Sequence, residues 1–119
     1  MSLLQTITSL LRQPAEPAEP IVHFDNAGFS CDGESPWRAT WLEVKRITAY
    51  KIDRLTVDEI RVDFALRDGS TRVLTEESPG FDELMLELAR RFPTVSGWRD
   101  RVVQPAFATS ISVLYECED

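Results

Sequence analysis

Apolar side chains recur at every second position between 58 and 66, then at every third or fourth between 81 and 92. These two periods organise the chain. In Glu59-Ile60-Arg61-Val62-Asp63-Phe64-Ala65-Leu66-Arg67, the residues Ile60, Val62, Phe64 and Leu66 alternate with mostly polar neighbours. Successive strand side chains point to opposite faces, so the spacing predicts a half-buried strand. Asp68-Gly69 tolerates positive φ and predicts a two-residue hairpin turn, with residues 70–76 running back as the partner strand. A turn centred there sets Phe64 opposite Val73 and Leu66 opposite Thr71, and it brings Arg61 to Glu76 on the other face. Phe81, Leu84, Met85, Leu88, Ala89 and Phe92 then form one helical stripe. Ser78 or Gly80 caps its start, Asp82 and Glu83 suit the first turn, and Arg90, Arg91 and Pro93 close it. Such a stripe is core, so the helix is expected to pack on an antiparallel sheet.

The rest of the chain fills in around this pair. Leu3, Leu4, Ile7, Leu10 and Leu11 make a second apolar stripe, on a segment (residues 1–13) of only about three turns. A helix that short needs a docking surface to persist. Residues 14–20, Pro-Ala-Glu-Pro-Ala-Glu-Pro, predict an extended, semi-rigid linker. The helix therefore either covers part of its own domain or docks on another subunit or partner, and the pattern fits both. Residues 21–119 are expected to be a single domain. Ile21–Phe24 and Phe29–Cys31 predict strands around the loop formers Asp25-Asn26-Ala27-Gly28. Trp37–Trp41 and Ile47–Ile52 predict two more, separated by a stretch that reads as strand or as one helical turn. A short helix is expected from Ser96-Gly97-Trp98 to Val103, and a last strand over 110–115 with Ile111, Val113 and Tyr115 on one face.

Composition narrows the function classes. The chain has 119 residues, with 13 basic against 20 acidic, for a formal charge of −7. A surface of that sign repels phosphate backbones and anionic lipid unless basic residues cluster, and no cluster stands out in the sequence. Nucleic-acid binding and a polybasic membrane contact are disfavoured. No apolar run is long enough to span a bilayer, and the first dozen residues do not read as a secretory leader, so a cytoplasmic location is expected. Cys31 and Cys117 are too few to define a disulfide framework, and the sequence leaves open whether they are bonded.

Candidate chemistry is sparse. His23 is the only histidine. It could serve as a base beside Ser30 or Cys31, or as a ligand with Asp25, Cys31 and Asp32, yet the spacing matches no metal pattern. If its strand is regular, His23 is simply an outward polar residue. The acid pairs Asp58-Glu59, Glu76-Glu77 and Asp82-Glu83 stand beside turns, where carboxylates are normally solvated. No glycine run could cradle a phosphate. No cofactor and no metal are expected. Of Trp37, Trp41 and Trp98, the first follows Pro36 at a turn and is a candidate exposed anchor for a partner.

The order of elements, a strand meander holding Trp41-x-x-Val44-x-x-Ile47, a glycine-turn hairpin and a helix opening at Gly80-Phe81, resembles bacterial pleckstrin-homology-like domains. The resemblance covers roughly residues 21–92. It implies an α+β fold in which a strongly bent antiparallel sheet of six to seven strands is closed by one main amphipathic helix. It also implies a scaffold that binds proteins or lipid headgroups. The first strand-to-strand loop holds Asp25 and no Lys or Arg, so phosphoinositide recognition is not expected. The resulting expectation is a non-catalytic protein-interaction or ligand-binding domain. Its contacts, by self-association or with a protein partner, would be Leu3, Ile7 and Leu10 of the first helix together with Trp37. The alternatives are an immunity protein neutralising a basic toxin, which the acidic charge would steer, and an enzyme using His23 and surface acids.

Overall fold

The alternating stretch forms the centre of a four-stranded antiparallel sheet in the computed structural model, which describes residues 19–53, 57–103 and 110–117. In chain order the elements are β1 (Val22–Phe24), β2 (Gly28–Cys31), β3 (Trp37–Thr40), β4 (Val44–Asp53), β5 (Asp58–Leu66), β6 (Thr71–Thr75), α1 (Phe81–Arg91), α2 (Trp98–Val103) and β7 (Ser110–Glu116). The fold is α+β with one main helix. Its strands pair as β1-β2-β3 and as β6-β5-β4-β7, two antiparallel sheets in place of the single bent sheet expected. The break falls in the stretch that the sequence left ambiguous. Trp41–Glu43 closes a 3₁₀ turn, and the Glu43 carboxylate accepts the Thr40 backbone N–H at 2.8 Å, so β3 cannot run on into β4.

The hairpin departs from expectation by one residue. The Leu66 N–H donates to the Ser70 carbonyl at 2.8 Å, and the Gly69 N–H to the Leu66 carbonyl at 3.0 Å. The loop therefore holds three residues, with Gly69 at φ 93° and the Asp68 carboxylate accepting the Ser70 N–H and hydroxyl. A three-residue loop ending in a left-handed residue is the next solution after the two-residue turn. One extra residue exchanges the faces of the returning strand. Phe64 lies opposite Arg72 and Val62 opposite Leu74, so Leu74 is buried while Val73, expected inside, points outward and is 45% exposed. Arg61 does not reach Glu76; it pairs with Glu59 at 2.7 Å.

The last strand is corrected for a related reason. Ile47 pairs with Tyr115 but Thr48 with Val113, so Leu114 is an extra residue in β7. The bulge turns Leu114 into the core and leaves Ile111 and Val113 exposed on the outer face.

Between the sheets and α1 lies one apolar cluster. It takes Val22 and Phe29 from the small sheet, Ile47, Val62, Phe64 and Leu74 from the large one, and Phe81, Leu84, Met85 and Leu88 from α1. Phe29 joins the layers: its ring lies 4.8 Å from Phe64, 5.1 Å from Trp41 and 5.6 Å from Trp37. A second join is backbone on backbone. The Val22 N–H donates to the Pro79 carbonyl at 2.8 Å, and Gly80, at φ 90°, caps α1 so close that a Cβ would stand 2.3 Å from the Val22 carbonyl oxygen. Lys51 is buried, and its ammonium donates to the Val103 carbonyl at 2.7 Å with Asp58 at 3.6 Å. A cation at the C-terminal end of α2 meets the negative pole of its peptide dipoles.

The register assigns opposite costs to two neighbours. Leu74→Ala should destabilise the chain by about 2–5 kcal/mol, whereas Val73→Thr should stay within ~0.5 kcal/mol. Urea unfolding measures both, and a larger loss at position 73 would restore the two-residue turn.

Candidate functional site

The residues considered for chemistry are divided between the two faces of the small sheet. His23, Ser30 and Arg38 are direct cross-strand neighbours on its outer face, while Cys31 points the other way and is buried. His23 Nε2 lies 2.9 Å from Asp32 Oδ2, but both side chains are 56% exposed. An ion pair so open to water is worth little and leaves a catalytic base no low-dielectric enclosure. Asp25 is committed to its own turn: its carboxylate accepts the Ala27 and Gly28 N–H groups and pairs with Arg38 at 3.1 Å. Those two amides, and then the guanidinium, hold its carboxyl below the ordinary value. Burial, with a contribution from Asp32, pushes the Cys31 thiol up, away from a reactive thiolate. No disulfide joins Cys31 to Cys117. No cluster of three or more possible metal ligands occurs among the described residues.

The acid pairs are less uniformly solvated than expected. Glu59 is buried beside Arg61, and Glu76 accepts the Ile60 N–H at 3.2 Å and the Arg99 guanidinium at 3.3 Å. Tyr50, on the outer face of the large sheet, donates to Asp63 at 3.0 Å. Burial and that carboxylate raise its phenol above the ordinary range. These groups lock each other in place.

Among the expected contact residues, Leu3, Ile7 and Leu10 lie outside the described residues. Trp37 is described, and it is half-buried rather than fully displayed: one edge meets Phe29, and the Arg72 guanidinium stands 5.7 Å from its ring centre. Trp41 and Trp98 are buried, and the Trp41 indole N–H donates to the Asp25 carbonyl at 3.0 Å.

Two concave regions were not anticipated. One, of about 360 Å³, is bounded by Trp41, Leu42, Arg67, Arg91, Phe92 and Tyr115. Both of its guanidinium groups are engaged. Arg91 lies 4.5 Å from the Trp41 ring centre and pairs with Glu87 at 2.7 Å, while Arg67 donates to the Leu42 carbonyl at 2.9 Å and to the Cys117 sulfur at 3.1 Å.

The larger region, of about 620 Å³, is a groove between α1 and the turn leading into α2. Met85, Leu86 and Ala89 form one wall, Trp98 the other, and Asp82, Arg99 and Asp100 stand at its rim. Met85 and Trp98 already belong to the core, so the groove floor is fixed by packing. Leu86 is different: it is 75% exposed. The signal was present in the chain, because Leu86 falls off the Phe81–Phe92 stripe and has no place in the core at helical spacing. Arg99 lies 4.9 Å from the Trp98 ring centre and reaches Glu76 and Asp82, which ties the α2 wall to the start of α1. Such a groove has shape, a rigid aromatic wall and an apolar lip.

The turn held by Asp25 carries a pH signature. Its carboxyl titrates lower in the folded chain than in the unfolded one, so its contribution to stability is complete above the unfolded value and is lost as pH falls through the folded one. Asp25→Asn should therefore lower the melting temperature at neutral pH, and the gap from wild type should close below the usual carboxylate value of about 4. Calorimetry across pH measures it, and a gap unchanged by acid would contradict the assignment.

No protein-family model, no curated protein and no solved structure matches this chain.

Proposed function

We propose that the chain is a non-catalytic, cytoplasmic protein-interaction domain on a pleckstrin-homology-like scaffold, and that it binds an apolar helical segment in the groove between α1 and α2. The observation that carries this reading is Leu86, a large apolar side chain 75% exposed on the lip of a preformed apolar groove. Water gains nothing from Leu86 in the isolated fold, whereas a partner's apolar stripe laid against Leu86, Ala89 and Met85 would remove that area from solvent. Amphipathic helices dock in grooves of this kind through residues three and four apart. Six antiparallel strands ahead of α1, sharing one core with it, support the scaffold, although β7 extends the chain beyond that pattern. Trp37 offers its remaining surface as a secondary contact.

The formal charge of −7 favours a second reading within the same class, an immunity protein whose partner is a basic toxin. Association with such a partner would weaken steeply with salt, and apolar docking in the groove would not.

Leu86→Glu separates surface from fold. An exposed substitution should leave stability within ~0.5 kcal/mol, while a charge set into the docking surface should weaken a partner captured by the wild-type chain by about tenfold or more. Binding isotherms for that partner give the result. Equal affinity for the two chains would remove the groove from the binding surface.

A further inference from the structure

We infer that the free edge of β6 takes an extended segment of a partner protein as an added antiparallel strand, and that an acidic side chain of that segment pairs with the Arg72 guanidinium held on the Trp37 ring. This site is separate from the groove between α1 and α2, and neither reading depends on the other.

Three observations carry it. The first is a cation without an acceptor. Every other described arginine reaches a carboxylate or a backbone carbonyl, as Arg38 does at Asp25, Arg46 at Glu116 and Arg101 at Thr94. Arg72 reaches neither among the described residues. Its Nε is shut off from water with no acceptor, and its guanidinium rests 5.7 Å from the Trp37 ring centre. Asp68 senses its charge, but that carboxylate is already bonded to the Ser70 N–H and hydroxyl. A charged donor shut away without an acceptor is costly, so the position is poised for a carboxylate brought from outside. The second observation is the edge itself. β6 ends the order β6-β5-β4-β7, and no described strand lies beyond it. The Leu66 N–H bonds to the Ser70 carbonyl and the Glu76 N–H to the Ile60 carbonyl, so alternate residues from Ser70 to Glu76 turn their backbone groups toward β5. Those of Thr71 and Val73 point to the free side, and both residues are exposed. The third is register. A strand added there bonds to Thr71 and Val73, and the residue facing Arg72 falls at a non-hydrogen-bonded position, where opposed side chains approach most closely. That residue lies on the inner face, beside Arg72 and toward Trp37 of β3. Its two neighbours lie on the outer face, one of them against Val73, which is 45% exposed.

Charge and edge act together. A carboxylate on the guanidinium supplies the acceptor that the fold does not, and the Trp37 ring keeps the planar fork in place. An inward-pointing charge on an edge strand also repels strands that bring an apolar or basic residue to that position. Arg72 therefore selects: unlike segments are refused, and one that alternates apolar, acidic, apolar is accepted. Main-chain bonds give such a complex its affinity, and the side chain facing Arg72 gives it its specificity.

The test adds two synthetic peptides to the full wild-type chain and follows them by NMR: acetyl-Thr-Thr-Val-Glu-Val-Thr-Thr-amide, and the same peptide with Gln in place of Glu. The Glu peptide should shift the Thr71 and Val73 amides and the Trp37 indole N–H, and should bind at least about tenfold more tightly than the Gln peptide. Arg72→Gln should bring the ratio of the two affinities down to about one. The comparison on the wild-type chain stands even if that variant does not fold, and equal affinities there would overturn the inference. So would shifts confined to Ile111 and Val113 on the opposite edge strand, or to Met85, Leu86 and Ala89 in the groove. Acetate shifting the Trp37 indole at the same concentrations as the Glu peptide would make this a site for free acids and overturn the pairing with β6. Self-association of Arg72→Gln, with neither peptide bound by the wild type, would leave Arg72 as a guard of the edge and overturn it too.

Discussion

Phe29 is the contact on which the two sheets depend. It sits on a four-residue strand of the small sheet, and its ring meets Phe64 of the large sheet, Trp41 of the intervening turn and Trp37 of the neighbouring strand. Each such aromatic pair contributes ~0.5–1.5 kcal/mol beyond the area it buries. Among the described residues no strand of the small sheet pairs with one of the large sheet, and side-chain packing joins the layers. The helix completes the arrangement: Phe81, Leu84, Met85 and Leu88 close the remaining side of the same cluster. Outside the cluster, Leu86 and the outward residues Ile111 and Val113 of β7 stay exposed.

Much of this was legible in the chain. The α1 stripe, the meander before it and the short helix after Gly97 follow from period, cap and breaker, which are local properties. Register was not local. Asp68-Gly69 suits a two-residue turn, yet Ser70 adds both a backbone and a hydroxyl donor for the Asp68 carboxylate, and that stabilises a longer loop with Leu74 inside. Likewise, alternation over 110–115 put Ile111 and Val113 on the same face as Tyr115, and only pairing with β4 introduces the bulge that separates them. A bulge depends on the partner strand, so one strand's sequence does not announce it.

The site was less legible than the fold. His23 attracted notice because it is unique, but the pairing of β1 with β2 leaves it on an open face. Trp37 was expected at the surface because of Pro36, and the Phe29 ring takes half of it back. The groove needed both helices in place before it existed, since Trp98 supplies one wall and Leu86 the other. Its only trace in the sequence was a leucine off the stripe. Burial of Lys51 was equally hidden, because alternation placed a charge on the inner face and the carbonyl that receives it lies at the end of α2.

The close seat of Val22 on Gly80 also has a mechanical side. With no room for even a methyl group between them, and with the Val22–Pro79 hydrogen bond beside it, the chain's entry is clamped to the leading turn of the main helix. Val22 also opens β1, so a pull on it is shared between the main helix and the three-stranded layer.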